Sequence, residues 1–311
     1  MRSPDIVGLG LATLDVLIRL TDMPTWERAG SVREFGLDGG GPVATACAAA
    51  ARLGARVGYV GTAGNDEAAA LKLRSLRECG VDMSRLVVRP HPEDQVIVVY
   101  VNEETGERLF SGVHGFGRDP VRPEELDRDY LIAADYLHLD GTHYEAALQA
   151  ARWMRQAGKQ VCLDGHKTDG RPASPHTVEL VRHTDVLIAG SGFGRSLTGK
   201  DDPYLAGEAV LALGPRLFVE TDGENGCYTI TPGERFHTPA FPVEVVDTTG
   251  AGDVFHGAYL VGLLRGWNLK AVAQFASAVA ALNCTRLGGR RGIPTLAEVQ
   301  SFLAQHGVAI G

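Results

Sequence analysis

The segment Asp247-Thr-Thr-Gly-Ala-Gly-Asp253 combines two acids with two closely spaced glycines, just ahead of an apolar run of helical period. Gly250 and Gly252 lack Cβ atoms, so backbone amides can converge there, and a following helix directs its positive end at the same point. Such a turn stabilises an anion, for example a terminal phosphate. Asp253, at the helix start, can accept a proton from a hydroxyl that attacks that phosphate. The bland alternative is an acid that only complements the helix dipole. Asp247, ahead of a tight turn, can likewise serve as a cap for backbone amides.

These residues need a frame. Short β-branched runs alternate with stretches of helical period, which predicts a mostly parallel sheet covered by helices on both faces. Strands are expected at Asp5–Gly10, Arg56–Val60, Tyr136–Leu139, Gln160–Asp164, Asp185–Ala189 and Arg216–Glu220. Helices are expected at Val43–Leu53, Glu145–Gln156, Thr177–Arg182, Ala251–Leu264, Leu269–Asn283 and Leu296–Gln305, with an extended run at Val243–Val246. Two regions break the rhythm. Leu14–Leu20 with Ser31–Leu37, and Gln95–Val101 with Glu107–Phe110, read as hairpins, the second turning at Asn102–Gly106. They can meet as a small second sheet, a lid over a cleft.

Composition narrows the classes. The 311 residues suit one large α/β domain or two ordinary ones, and a net charge of −8 argues against general nucleic-acid binding. The five cysteines are scattered with no C-x-x-C pair, as expected for free thiols in a reducing compartment. Neither a leader pattern nor a long apolar span is visible, so a cytoplasmic protein without a membrane anchor is expected.

The run from Asp247 through Asp253-Val-Phe255 resembles the C-terminal signature of the PfkB, or ribokinase-like, carbohydrate kinases. Gly39-Gly-Gly-Pro-Val-Ala-Thr45 and the Ala-rich stretch to Gly54 look like the family's N-terminal glycine motif, and Gly61-Thr-Ala-Gly-Asn-Asp66 like the turn after its next strand. Thr221-Asp-Gly-Glu-Asn-Gly226 looks like its nucleotide-side loop. The landmarks keep family order over nearly the whole chain. The resemblance implies one ribokinase-like α/β domain over 1–311, with lid segments at about 14–37 and 95–111. It implies ATP-dependent phosphorylation of a sugar hydroxyl, Asp253 as base, and the amides of Gly250, Ala251 and Gly252 as the anion hole. It assigns Asp15, Gly39, Gly40, Gly41 and Thr45 to the sugar and Thr221, Gly223 and Gly226 to the nucleotide. It further implies Mg2+ and a K+ site at Asp247 and Thr249. A homodimer through exposed lid edges is expected as well.

Three departures limit the transfer. Thr45 stands where many members carry Asn. Gly190-Ser-Gly-Phe193 replaces an Asn-x-x-Glu motif linked to magnesium, and Asp164-Gly-His-Lys167 replaces Asp-x-Asn. The segment Asn283–Pro294, with Gly-Gly-Gly-Pro and His256, looks most like the sulfofructose kinase branch. An anionic sugar would require a cationic clamp, for which Arg33, Arg108, His114 and His143 are candidates. Asp140-Gly-Thr-His143 stands where that branch is expected to carry an arginine, which favours a neutral ketose or related sugar. Kinases for sulfofructose, 2-keto-3-deoxygluconate or a nucleoside are the alternatives, and a non-catalytic sugar sensor is the non-enzyme one. Two other motifs fail. Gly194–Lys200 fits a P-loop, but Asp201 takes the Ser/Thr position, and Gly199 reads as a helix C-cap. Gly8-Leu-Gly-Leu-Ala-Thr13 lacks the third glycine of a dinucleotide-binding turn.

Overall fold

The computed structural model describes residues 3–166 and 170–310. Six parallel strands form most of the main sheet: β1 (Ile6–Leu9), β4 (Val57–Val60), β9 (Tyr136–Leu139), β10 (Gln160–Gly165), β11 (Val186–Gly190) and β12 (Leu217–Thr221). An antiparallel pair, β13 (Cys227–Ile230) and β14 (Arg235–Thr238), extends one edge, giving the order β14-β13-β12-β11-β10-β9-β1-β4. Successive side chains enter opposite cores, as a strand buried on both faces requires. Val186 and Ile188 face one cluster, Leu187 and Ala189 the other.

On the first face lie α1 (Pro42–Arg52), α8 (Ala251–Leu264) and α9 (Leu269–Asn283), with α2 (Glu67–Glu78) and α10 (Leu296–Gln305) beside them. α3 (Arg128–Ile132), α4 (Tyr144–Gln156), α5 (Pro175–Arg182), α6 (Phe193–Thr198) and α7 (Pro203–Leu211) cover the second. The alanines of α1 allow close approach. A Cβ on Gly8 of β1 would strike Val43 and Cys47, and one on Gly257 of α8 would strike the Ala46 carbonyl. α1 is thereby clamped between the sheet and α8.

The irregular insertions meet as expected. β2 (Thr13–Leu20) pairs with β3 (Val32–Gly40), and β7 (Val96–Asn102) with β8 (Arg108–Gly112), both antiparallel. β2 and β7 join in parallel, giving the order β3-β2-β7-β8. Leu17, Val99 and Val101 bury one lid face against Leu287, while Phe35, Leu109 and Phe110 are exposed. A two-stranded patch, β5 (Thr62–Ala63) with β6 (Val87–Val88), lies near the lid's root.

Expected elements match within a few residues. α2, α3, α7, the β5–β6 pair and the β13–β14 hairpin go beyond the expected elements. Val243–Val246 forms no strand; the Val246 and Asp247 amides donate instead to the Cys284 carbonyl at the end of α9. Gly199 does cap α6 in the left-handed conformation. All five cysteines are free. No helix among the described residues is long and apolar enough to cross a membrane.

The lid is rooted by a buried ion pair. Lys72 of α2 and Glu93, at 0% and 1% side-chain exposure, approach to 2.6 Å. Lys72 also donates to the Thr62 carbonyl and to Gln95, while Glu93 accepts the Gly64 and Gln95 amides. Lys72→Met would leave Glu93 buried without its cation, at a cost of about 3–5 kcal/mol in urea unfolding. A Lys72→Met/Glu93→Leu double variant is expected to recover much of that loss. Equal destabilisation of single and double variants would refute the pairing.

Candidate active site

The candidate residues collect at the carboxyl ends of the parallel strands, the place where open α/β sheets bind ligands. Asp253 lies in the first turn of α8, behind Gly250 at φ 71°. A Cβ on Gly250 would strike the Gly289 carbonyl, in a backbone region that already favours glycine. Gly252 differs, because a Cβ there would meet nothing within 4 Å. Protein packing does not demand glycine at that position, and the space beside its amide is open to a ligand.

The turn is held from outside. Asp247 is fully buried; its Oδ1 accepts from the Thr249 amide and hydroxyl at 2.8 and 2.7 Å, and its Oδ2 accepts from the Gly288 amide at 2.8 Å. Asn283 donates to the Thr249 and Gly289 carbonyls. At the position where K+ was expected, three protein donors bond the Asp247 carboxylate, which thereby caps the turn.

Arg290 organises the opposite wall. Its guanidinium is buried and donates to the Thr45 hydroxyl at 3.1 Å, to Ser75 Oγ at 2.9 Å and to the Gly40 carbonyl. The Arg290 amide donates to Asp38 at 3.3 Å. Arg290 was not among the expected site residues. An arginine between glycines after a helix has no local signal; only the convergence of the lid, α1 and α2 upon it reveals its role. Two expectations change as a result. Thr45, 1% exposed, faces Arg290 and does not line the cleft. Gly39 and Gly40 are small because Arg290 and the Asp15 carboxylate occupy the space a Cβ would need. Gly41, at φ 90°, does line the cleft.

Asp15 stands in that cleft, with its Oδ1 accepting from Thr13 at 2.6 Å. Burial raises its carboxyl to about 6; the Thr13 bond and Arg290 oppose the rise, and Asp38 and Asp253 add to it. Asp253 is also raised, chiefly by burial, with His166 and Arg290 opposing. It nevertheless keeps a partly exposed face in the cleft. A raised carboxylate is a stronger base than an ordinary one.

Two clefts meet at this turn. One, of about 300 Å³, is bounded by Asp15, Gly41, Asp253 and the lid residues Arg108 and Phe110. The other, of about 660 Å³, is walled by Thr221, Gly223, Gly226, Phe241, Phe255 and Ala281. Thr248, Ala251 and Gly252 line both. A depression of about 750 Å³ under the lid tip also reaches Thr248. Arg33 instead pairs with Glu103 at 3.2 Å, the His143 Nδ1 accepts from the buried Val121 amide, and His114 is exposed outside both clefts.

The departures resolve locally. Glu220, next to Thr221, reaches under the Gly190–Phe193 turn; its two oxygens accept the Gly192 and Gly194 amides at 3.0 and 2.8 Å. An acid therefore does reach this turn, from the neighbouring strand. Asp164 lies at the end of β10, and Lys167 falls outside the described residues.

A family model described as "pfkB family carbohydrate kinase" matches residues 4–296. The chain belongs to the pfkB family of carbohydrate kinases. Among its relatives, an ATP-dependent ribose-1-phosphate kinase from Halopiger xanaduensis is 28% identical over 96% of this chain and 98% of its own. A 5-dehydro-2-deoxygluconokinase from Shouchella clausii is 28% identical over 98% and 97%. The structure of Arabidopsis thaliana ribokinase complexed with ribose and ATP superposes with a TM-score of 0.83, at 25% identity over 97% and 99% of the two chains. This pfkB chain is an ATP-dependent sugar kinase with a ribokinase-like fold.

Gly252→Ala separates function from folding. Alanine favours a helix over glycine by about 1 kcal/mol, so the melting temperature is expected to hold or rise. The methyl group would enter the shared wall, and kcat/KM is expected to fall about 10²-fold, the scale of an ångström's misplacement. Unchanged kcat/KM would remove Gly252 from the site.

Proposed function

We propose that this kinase transfers the γ-phosphoryl group of ATP, in line, to a hydroxyl of a neutral ketose or related sugar, with Asp253 as general base. The observation that carries this reading is the wall common to the two clefts. Sugar in the smaller cleft and nucleotide in the larger would meet across Ala251 and Gly252, one residue from Asp253. The sugar O–H proton passes to the Asp253 carboxylate as its oxygen bonds to γ-phosphorus. The bond from γ-phosphorus to the bridging oxygen breaks, and ADP leaves. The amides of Gly250, Ala251 and Gly252 stabilise charge on the transferring group.

Thr221, Gly223 and Gly226 serve the nucleotide in this reading, and Asp15 and Gly41 the sugar. Gly39, Gly40 and Thr45 act through Asp15 and Arg290. Mg2+ would neutralise charge between the β- and γ-phosphates. Both Glu220 oxygens accept backbone amides, so nucleotide phosphates and water would hold most of its coordination sphere.

Neutral substrate follows from charge. Two carboxylates and one arginine, Arg108, line the smaller cleft. Sulfofructose, to which the likeness of the C-terminal segment points, would need a further cation near Asp140–His143. There Asp140 accepts the Leu11 and Thr142 amides, and His143 is buried. Arg108 favours a singly anionic sugar as the second reading. The exposed apolar Phe35 and Leu109 suit a homodimer through the lid, and five free cysteines suit a reducing, cytoplasmic compartment.

Turnover of ATP with ketoses, aldoses, sugar acids and nucleosides is expected to be fastest with a neutral sugar. Preference for a sugar acid would transfer the assignment to the Arg108 reading, and saturable binding without product would leave a sensor. Asp253→Asn is expected to keep nucleotide affinity while kcat falls about 10²- to 10⁴-fold; near-normal kcat would sink the base assignment.

The pH profile provides a separate check. Asp15 must be ionised to accept sugar hydroxyls, and its carboxyl is raised to about 6. kcat/KM is therefore expected to decline as pH falls through about 6, where Asp15 protonates. In Asp15→Asn the remaining acid limb would belong to Asp253 alone. An acid limb near the ordinary carboxylate value in the parent enzyme would contradict both assignments.

A further inference from the structure

One turn beyond Asp253, His256 points away from solvent and meets two other buried ligand-type side chains. His138 comes from β9 and Asp164 from the end of β10, and the exposures of His138, Asp164 and His256 are 1%, 7% and 3%. One ligand atom from each lies within 4.8 Å of the other two. His256 Nδ1 is 3.3 Å from Asp164 Oδ2, and the two imidazole rings stand edge to face at 5.7 Å between centroids.

The triad is short of hydrogen bonds. Neither ring nitrogen of His138 has a partner in bonding geometry, although the adjacent Cys162 backbone slightly favours the charged ring. His256 Nδ1 has none either. Buried polar groups left unpaired are uncommon in folded proteins and call for a reason. The second oxygen of Asp164, Oδ1, lies 3.7 Å from His166 Nδ1, beyond hydrogen-bond reach.

We propose that His138, Asp164 and His256 bind one borderline divalent cation of the Zn2+ class, tying β9 and β10 to the helix that carries Asp253. Two imidazoles and a carboxylate suit Zn2+ better than Mg2+, which prefers an all-oxygen shell. Metal–ligand bonds of about 2.0–2.2 Å put neighbouring ligand atoms roughly 3.3–3.5 Å apart in a tetrahedron. The His256–Asp164 pair already stands at that spacing, and His138 needs to close by at most about 1.5 Å. No fourth His, Cys or acid joins the group among the described residues, so water completes the shell. The site is separate from any Mg2+ that accompanies ATP.

The test uses the full chain, stripped with a chelator and then given Zn2+ or Co2+ in the presence of millimolar Mg2+. Mass spectrometry is expected to find about one Zn2+ per chain. Co2+ should give the visible absorption of a four-coordinate N/O site, and Zn2+ should raise the melting temperature by about 5 °C. His138→Phe, which keeps a ring of similar volume, and Asp164→Asn are each expected to lose the bound metal, the absorption and the shift. Should one variant fail to fold, the other carries the test. Less than about a tenth of an equivalent bound to the parent chain would overturn the site. Metal retained undiminished in both variants would overturn it as well. None of these readouts depends on turnover, so the result stands apart from the assignment of Asp253.

Discussion

A single loop, from Asn283 to Arg290, holds both halves of the candidate site. At its start Asn283 and the Cys284 carbonyl fix the segment and turn leading to Asp253, and the Gly288 amide completes the cap on Asp247. At its end Arg290 ties the lid root to α1 and α2. The two carboxylates of the smaller cleft would repel each other without a counter-charge. The same guanidinium lowers both Asp15 and Asp253 against the pull of burial. A buried arginine is tolerable here because two hydroxyls and a carbonyl accept from its guanidinium, and the nearby Asp38 and Asp15 charges offset its own. Asp253 and Asp15, the proposed base and the proposed sugar-side acid, are therefore coupled through packing as well as through the substrate they would share.

Glycine serves three physical purposes around this loop. At Gly250 it permits a left-handed turn pressed against Gly289; at Gly39 and Gly40 it makes room for Arg290 and the Asp15 carboxylate. At Gly252 it leaves open space beside an amide. Only the last use faces the ligand side directly. Similar motif letters thus conceal different constraints, and a substitution at each would fail for a different reason.

The lid is joined to this machinery at two levels. Its inner face packs on Leu287 of the same loop, and its root is fixed by Lys72, Glu93 and Gln95. Its far end carries Arg108 and Phe110 over the smaller cleft. Rigid root and exposed tip suit an element that closes over substrate and excludes water.

Local signals carried most of the architecture. The strands Tyr136–Leu139 and Gln160–Gly165, the helices Ala251–Leu264 and Leu269–Asn283, and the two lid hairpins follow from periodicity and turn residues, which act over neighbouring positions. The Asp247–Asp253 turn was equally readable, because its glycines and acids are contiguous. What could not be read were meetings across the chain. Arg290 lies about 245 residues from the Thr45 hydroxyl it holds, and Glu220 reaches a turn near Gly192 from the next strand. His138, Asp164 and His256 come from two strands and a helix. Side chains so far apart in sequence leave no spacing to recognise; sheet order and helix packing bring them together. Thr45 shows the same limit in reverse, since its place in the motif pointed to the sugar and tertiary packing turned it toward Arg290.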